Sequence, residues 1–345
     1  MPPNPVLIEA IDALASGHDL PADQASAVLA EIMAGNATEV QTAAVLIALR
    51  TKGETVDELT GLARAMRSFA TPVRTSRTDL VDTAGTGGGQ VTFNVSTTAA
   101  LIAAGAGCAV AKHGNRSATS RSGSADVLEA LGVRIGLAPE AIADCIERVG
   151  FGFMFAPQHH GATRYVVPVR KDLAVRTVFN FLGPLTNPAG ATRQVIGVSD
   201  LPFMPTVAGA AAQLGVERAI VCCSADGLDE LSTSAVTHIV EVTDGATHAY
   251  DIAPEDVGLA RATLADVGGG TPQANADTAR AIFAGETGPR RDLAVLNAGA
   301  AIYVAGQAAD LADGVRRAQE AIDSGSVRTT LEHLVALTQE LVPAG

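Results

Sequence analysis

Apolar positions in the first seventy residues recur at helical spacing. Residues 6–14 place apolar side chains three and four apart, and Pro21 opens a second such run that closes at Gly35. Thr38-Glu39-Val40-Gln41 and Thr55-Val56-Asp57-Glu58 each set a threonine three residues ahead of Gln or Glu, before an apolar stretch. In that arrangement each side chain takes up a backbone N–H that the first turn leaves free, so two further helices are predicted to start there. Thr71-Pro72 closes the series. The result is a small all-helical unit with more apolar face than it can hide internally, and that surplus predicts a contact with a second copy of the chain.

From Asp79 onward the period changes. Short apolar runs at 80–82, 108–111, 151–155, 194–198 and 219–223 alternate with helical stretches, which predicts a mostly parallel sheet with crossover helices. Asp244-Gly245 between the runs 238–242 and 247–252 predicts an antiparallel hairpin at the sheet edge. The chain is again helical from 276, with a break at 285–289. The segment 157–188 contains Pro168, Pro184 and Pro188 and is read as returning to the helical unit before the sheet resumes. The fold class expected is α/β: a small N-terminal all-helical domain plus a large α/β domain with a mostly parallel central sheet.

Composition narrows the function classes. Of 345 residues 47% are hydrophobic and 18% charged, which excludes disorder for the bulk of the chain. Aromatics are only 3%, with no Trp, while Gly numbers 35, so a backbone-lined ligand site is favoured over an aromatic stacking platform. A net charge of −13 opposes nucleic-acid binding, whose affinity comes mainly from neutralising phosphates with Lys and Arg. Cys108, Cys145, Cys222 and Cys223 lack metal or redox spacing and sit in apolar runs, where buried reduced thiols are expected. The start of the chain lacks a basic flank and apolar run, and the stretch 97–111 is too short and too interrupted to span a membrane. No membrane partner and a cytoplasmic location are expected.

Three loops carry candidate chemistry. Asp82-Thr83-Ala84-Gly85-Thr86-Gly87-Gly88-Gly89 follows a predicted strand and leads through Thr92-Phe93-Asn94-Val95-Ser96-Thr97 into a predicted helix. Glycines let the backbone N–H groups approach an anion, and the helix N-terminus adds partial positive charge. The loop lacks the G-K-[ST] of a nucleotide-triphosphate loop. Ser96 and Thr97 either cap the helix or ligate phosphate oxygens or Mg²⁺. Lys112-His113-Gly114-Asn115-Arg116 and the Ser- and Gly-rich run through Ser124 follow the next strand, so two anion loops face one crevice. Residues 112–176 hold nine Lys/Arg against six Asp/Glu, a local balance of +3 in an acidic chain. His159-His160 lack partners at metal spacing, whereas Arg164 is suited to grip a small carboxylate bidentately. Asp226-Gly227-Leu228-Asp229-Glu230 sits at another strand end, and its crowded carboxylates suit a shared Mg²⁺. With no nucleophile–base pair in view, such a site works by positioning and charge stabilisation.

Taken together, Gly85-Thr86-Gly87-Gly88, Asn94-Val95-Ser96-Thr97, Lys112-His113-Gly114-Asn115-Arg116, Ser122-Gly123-Ser124-Ala125-Asp126, the motif at 177–188 and Asp226-Gly227-Leu228-Asp229-Glu230 resemble the anthranilate phosphoribosyltransferases over nearly the whole chain. The resemblance implies Mg-dependent transfer of a phosphoribosyl group from phosphoribosyl pyrophosphate to the amine of anthranilate, in tryptophan biosynthesis. It implies phosphoribosyl pyrophosphate on Gly85, Gly88, Gly89, Thr92, Asn94, Ser96, Thr97, Lys112, Asn115, Thr119 and Ser124. Anthranilate is expected near Gly85, His113, Asn115 and Arg164, and two Mg²⁺ ions on Ser96, Asp229 and Glu230. It also implies a homodimer through a helical domain of residues 1–72, completed by roughly 165–190, with the large domain formed by 73–164 and 191–345. Two departures stand out. Gly89-Gln90 replace the family's acid and the loop is one residue shorter, and Gly161 stands where a proline is common. A pyrimidine-nucleoside phosphorylase of related fold, or a non-catalytic nucleic-acid-binding paralogue, are the other readings of the same pattern.

Overall fold

A computed structural model describes residues 2–117 and 121–341. Four helices open the chain: α1 (Pro5–Ala15), α2 (Ala22–Met33), α3 (Glu39–Lys52) and α4 (Val56–Ser68). Both reciprocal caps form, Thr38 with Gln41 on α3 and Thr55 with Glu58 on α4, so these two helices begin where local sequence dictates. The large unit follows as β1 (Leu80–Gly85), α5 (Val95–Gly105), β2 (Ala109–Gly114), α6 (Ser124–Leu131), α7 (Pro139–Val149) and β3 (Phe151–Phe155). A connecting stretch holds α8 (Ala156–His159), a 3₁₀ turn at Gly161–Tyr165, α9 (Val167–Leu173) and α10 (Phe179–Leu182). The sheet then resumes with β4 (Arg193–Gly197), α11 (Met204–Gln213), β5 (Arg218–Ser224), β6 (Thr237–Thr243) and β7 (Ala246–Ile252). Helices α12 (Pro272–Phe283), α13 (Pro289–Val304), α14 (Leu311–Asp323) and α15 (Ser326–Glu340) end the described chain.

The seven strands run in the order β3-β2-β1-β4-β5-β6-β7. The first five are mutually parallel, and β6 and β7 are antiparallel. Asp244 and Gly245 take φ of 49° and 81°, as the tight turn of the predicted hairpin requires. Connections from β1 step to β2 and β3 on one side, while β4 and β5 lie on the other. The strand order therefore reverses between β1 and β4, which opens a crevice at their carboxyl ends. The loops after β1, β2, β4 and β5 all emerge there.

Two apolar cores flank the sheet. One packs α5, α13 and the C-terminal helices on β1–β3. The other joins α1–α4 to α11, to one face of β4 and β5, and to Val166, Val169, Val178, Phe179, Phe181 and Leu182 of the connecting stretch. The motif at 177–188 is also tied into the sheet. The buried Asn187 amide donates to Asp82 Oδ2 and to the Ala111 carbonyl, both at 2.8 Å. Burial pushes the Asp82 carboxyl above its ordinary range, and its other oxygen accepts the His113 N–H at 3.1 Å. All four cysteines are buried and free. Among the described residues no helix is long and apolar enough to cross a membrane.

Candidate active site

One cleft of about 830 Å³ lies at the strand-order reversal. Its wall includes Gly85, Gly88, Gly89, Thr92, Asn94, Ser96, Asn115, Ser124, Asp229 and Glu230. Segments separated by more than a hundred residues thus converge as the three-loop reading expects. Thr119 lies outside the described residues.

The acid turn is clamped against the glycine loop. Gly87 N–H donates to Asp229 Oδ2 at 2.8 Å, and Gln90 N–H to the Gly227 carbonyl at 3.2 Å. Thr92 Oγ1 donates to Glu230 Oε2 at 3.1 Å, so Thr92 orients an acid in this state. A Cβ on Gly197 would stand 1.6 Å from the Asp229 carbonyl, so only glycine at the end of β4 admits the turn. Desolvation raises both carboxyls above their usual range, and Glu230 is raised further by its neighbour Asp229. Asp226 is not part of this pair; it accepts from Ser232 and Ser234 hydroxyls at 2.6 and 2.5 Å and shapes the turn.

Asn94 takes a left-handed φ of 63° and starts α5 without a side-chain cap, which exposes the helix N-terminus to the cleft. Its amide is spent on stitching loops together: Nδ2 donates to the Ser122 carbonyl at 2.9 Å, and Oδ1 accepts from Asn275 Nδ2 at 2.7 Å and Ser122 Oγ at 2.8 Å. Thr97 is buried beneath the cleft, not on its wall. Lys112 also lies under the floor. Its Nζ donates to the Thr83 carbonyl at 2.6 Å and Thr83 Oγ1 at 3.2 Å, and reaches Ser96 Oγ at 3.4 Å. Burial brings the ammonium down to about 8.

Gly89, where the resemblance leads one to expect an acid, leaves no room for a side chain in this loop. A Cβ there would stand 2.6 Å from the Gly227 carbonyl and 3.1 Å from Asp229 Oδ1. Gly89→Asp would push the acid turn away and add a like charge beside Asp229. We expect a loss of about 1–3 kcal/mol in stability, read from urea denaturation; an unchanged midpoint would contradict the packing.

The acceptor side differs more from expectation. His113 is buried, with Nδ1 3.3 Å from the Gly183 carbonyl and its ring 5.0 Å from that of His160. Arg164 does not line the cleft: its guanidinium lies over the Tyr165 ring at 4.7 Å and donates to Tyr165 Oη at 3.0 Å. The 3₁₀ turn at Gly161–Tyr165 carries it on the helical-unit side. Arg170, which sequence reading passed over, is half-buried over the Phe179 ring at 5.4 Å, one residue from Asn180 on the cleft wall. Burial lowers its pKa, and among the described residues it has no acid and no hydrogen-bond acceptor.

Burial pushes His113 down to about 3, helped by His160, and His160 down to about 4, helped by His159. Both are neutral in the folded chain at pH 5, whereas unfolded histidines titrate near 6.5. Unfolding then takes up protons, so the stability present above about pH 6.5 falls as pH drops toward 4, by about 1.4 kcal/mol per pH unit for each group. Urea denaturation at pH 7 and 5 should show a smaller pH difference for His160→Gln than for the unmodified chain; equal differences would contradict it.

A family model described as "Glycosyl transferase family, a/b domain" matches residues 77–328, and a helical bundle domain of the same family matches 8–70. An anthranilate phosphoribosyltransferase of Anaeromyxobacter dehalogenans is 51% identical over 336 residues, covering 97% of this chain and 99% of the relative. That of Symbiobacterium thermophilum is 50% identical over 329 residues, covering 95% and 96%.

The chain belongs to the anthranilate phosphoribosyltransferase family.

The family's solved members share the architecture. The anthranilate phosphoribosyltransferase of Thermus thermophilus superposes with a TM-score of 0.91 at 46% identity, covering 96% of this chain and 99% of that one. The Saccharomyces cerevisiae enzyme in complex with PRPP and Mg gives 0.88 at 26% identity, covering 97% and 98%. The expected fold class is thereby confirmed: a helical bundle beside a large α/β unit with a mostly parallel sheet. The phosphorylase and nucleic-acid readings are set aside in favour of the anthranilate phosphoribosyltransferase family.

Proposed function

We propose that this chain transfers the phosphoribosyl group of phosphoribosyl pyrophosphate to the amine of anthranilate and releases pyrophosphate, in the cytoplasm and on the route to tryptophan. The observation that carries the reading is the clamp of Asp229 and Glu230 on the glycine loop, beside the open N-terminus of α5. Backbone N–H groups for an anion and carboxylates for a cation meet in one cleft, as a metal-bound diphosphate requires.

The donor set fits Mg²⁺. Ser96, Asp229 and Glu230 offer hard oxygen ligands, and desolvation raises both acids, Glu230 further beside Asp229, so a divalent cation between them would relieve a repulsion that Arg176 and Lys112 offset only in part. Among the described residues no group of three or more His, Cys, Asp or Glu could hold a metal unaided. Ser96, Asp229 and Glu230 would hold two Mg²⁺ ions together with phosphate oxygens and water. When bound, Mg²⁺ would neutralise the charge of the departing pyrophosphate.

The chain's own residues supply the rest. The backbone of Gly85, Gly88 and Gly89, with Ser124 and Asn115, would hold the phosphates, while Thr92 and Asn94 fix the loops around them. Lys112 keeps Ser96 and Thr83 in place and adds positive charge from below. Neutral His113, Gly85 and Asn115 would border the acceptor, whose aromatic amine attacks the ribosyl carbon in line and loses its proton late, so no strong base is needed. Arg170 would grip the acceptor carboxylate, since Arg164 is committed to Tyr165.

With a helical domain of 1–72 and roughly 165–190, and a large domain of 73–164 and 191–345, this cleft takes its wall from both, Arg176 and Asn180 on one side and the glycine loop and acid turn on the other. Ile8, Val40, Ile47 and Val167 are 52%, 78%, 37% and 53% exposed on α1, α3 and α9, an apolar face that supports a homodimer through the helical unit. Light scattering should give twice the chain's mass and Ile47→Glu should lower it; a monomeric parent chain would refute the dimer. Purified protein with anthranilate, phosphoribosyl pyrophosphate and Mg²⁺ should quench anthranilate fluorescence and release pyrophosphate. Absence of turnover in that mixture would refute the activity.

A further inference from the structure

Arg176 stands where the helical unit meets the glycine loop, and none of the roles above uses it. Its backbone belongs to the helical side: Arg50 of α3 donates to the Arg176 carbonyl at 2.8 Å. Its side chain crosses to the large unit, where Nη2 donates to Ser199 Oγ at 2.9 Å and reaches the Gly87 carbonyl at 3.4 Å. The Phe181 ring lies 5.7 Å from the guanidinium carbon, and Nη1 packs against Gly88, 3.3 Å from where a Cβ would stand.

Charge separates Arg176 from its surroundings. The cationic side chains on the described cleft wall are Arg116 and Arg176. Arg116 is already paired with Asp126 at 2.7 Å and Glu129 at 2.6 Å. Arg176 has no ion pair among the described residues, and its hydrogen-bond partners are a hydroxyl and a carbonyl. Its Nε and Nη1 groups donate to nothing there. The guanidinium is held by a hydroxyl and a carbonyl, lies near enough to Asp229 to favour its charged form, and shares the cleft wall with Gly88 and Gly89, so its free donors remain available to an anion. Its planar fork suits paired phosphate oxygens.

We propose that Arg176 binds the diphosphate of the substrate, donating Nε and Nη1 to its non-bridging oxygens, and so ties the helical unit to the glycine loop while the diphosphate is present. The inference rests on the reading of the cleft as a phosphoribosyl pyrophosphate site and adds to it a contact from the opposite structural unit. The other anion at hand is the acceptor's carboxylate, and the two are separable by experiment.

Inorganic pyrophosphate with Mg²⁺ is the probe, titrated calorimetrically into the parent chain, Arg176→Gln and Arg176→Lys, with steady-state KM values for both substrates. Arg176→Gln should weaken pyrophosphate binding and raise the phosphoribosyl pyrophosphate KM at least about tenfold. The lysine variant should recover part of the loss, and the anthranilate KM should stay unchanged. Thermal melting that matches the parent chain distinguishes lost binding from lost folding, and the lysine variant carries the same test should the glutamine variant unfold. Unimpaired pyrophosphate binding by the variants, or an effect confined to the anthranilate KM, would overturn the role of Arg176 alone. A parent chain that binds neither pyrophosphate nor phosphoribosyl pyrophosphate would overturn the reading of the cleft, and this inference with it.

Discussion

Asp229→Asn is expected to lower kcat/KM at least about a hundredfold and to raise the Mg²⁺ concentration needed for half-maximal rate. The carboxylate does two things. It accepts Gly87 N–H at 2.8 Å, which holds the glycine loop against the acid turn, and it offers negative charge to a cation. Asparagine can still accept that N–H through its amide oxygen, so the loop geometry survives while the charge is lost. The substitution thus separates metal binding from packing, which an alanine would not. Rates measured across an Mg²⁺ titration check it. A rate deficit with an unchanged Mg²⁺ midpoint would mean that Asp229 serves the loop and not the metal.

Arg170→Ala should raise the anthranilate KM by about 10–100-fold, the range of one lost charge-assisted hydrogen bond, with little change in the KM for phosphoribosyl pyrophosphate. Its guanidinium is desolvated over Phe179 without an acid partner, so an incoming carboxylate recovers a cost already incurred on folding. Arg164→Ala should cost far less, because that side chain is turned onto Tyr165. Equal effects of Arg170→Ala on both substrates, or a larger anthranilate effect at Arg164, would reverse the assignment.

The contrast between these two arginines marks where sequence reasoning stops. The helices at 39–52 and 56–68 were legible because their caps are local: the threonine and the residue three positions on decide the start without help from the rest of the fold. The strands were legible for a related reason, since short apolar runs between helical stretches can be buried only in a covered parallel sheet. The three-loop site was readable because each loop follows a strand, and strand ends in such sheets face a common crevice. Arg164 and Arg170 share one short stretch, however, and which of them is left desolvated without an acid or hydrogen-bond acceptor depends on how α9 packs. Val169 enters the helical core, and that leaves Arg170 over Phe179.

Asn297 was visible as an anomaly and went unused. It is an amide inside the apolar stretch 293–302, nearly all of it buried, and such a group must find partners. It exchanges hydrogen bonds with both backbone groups of Leu231 at 2.9 and 3.0 Å, which fixes the residue next to Glu230. Asn275 was less legible, because its partner Asn94 lies 181 positions away. Asn94 carried its own sign as an asparagine just ahead of a helix, a residue type that tolerates left-handed backbone. Arg176 carried none: one arginine in a basic stretch looks like any other until Ser199 and Gly87 are seen beside it.

On the proposed function, Gly85–Gly89, the start of α5 and Asp229-Glu230 form a single site for a magnesium-bound diphosphate. Calorimetric titration of phosphoribosyl pyrophosphate into the purified chain, with Mg²⁺ and again in its absence with a chelator, tests this most directly. Saturable binding with Mg²⁺ at one site per chain is expected, strongly weakened by chelation and by Asp229→Asn. Binding of equal strength with and without Mg²⁺, untouched by that substitution, would contradict it.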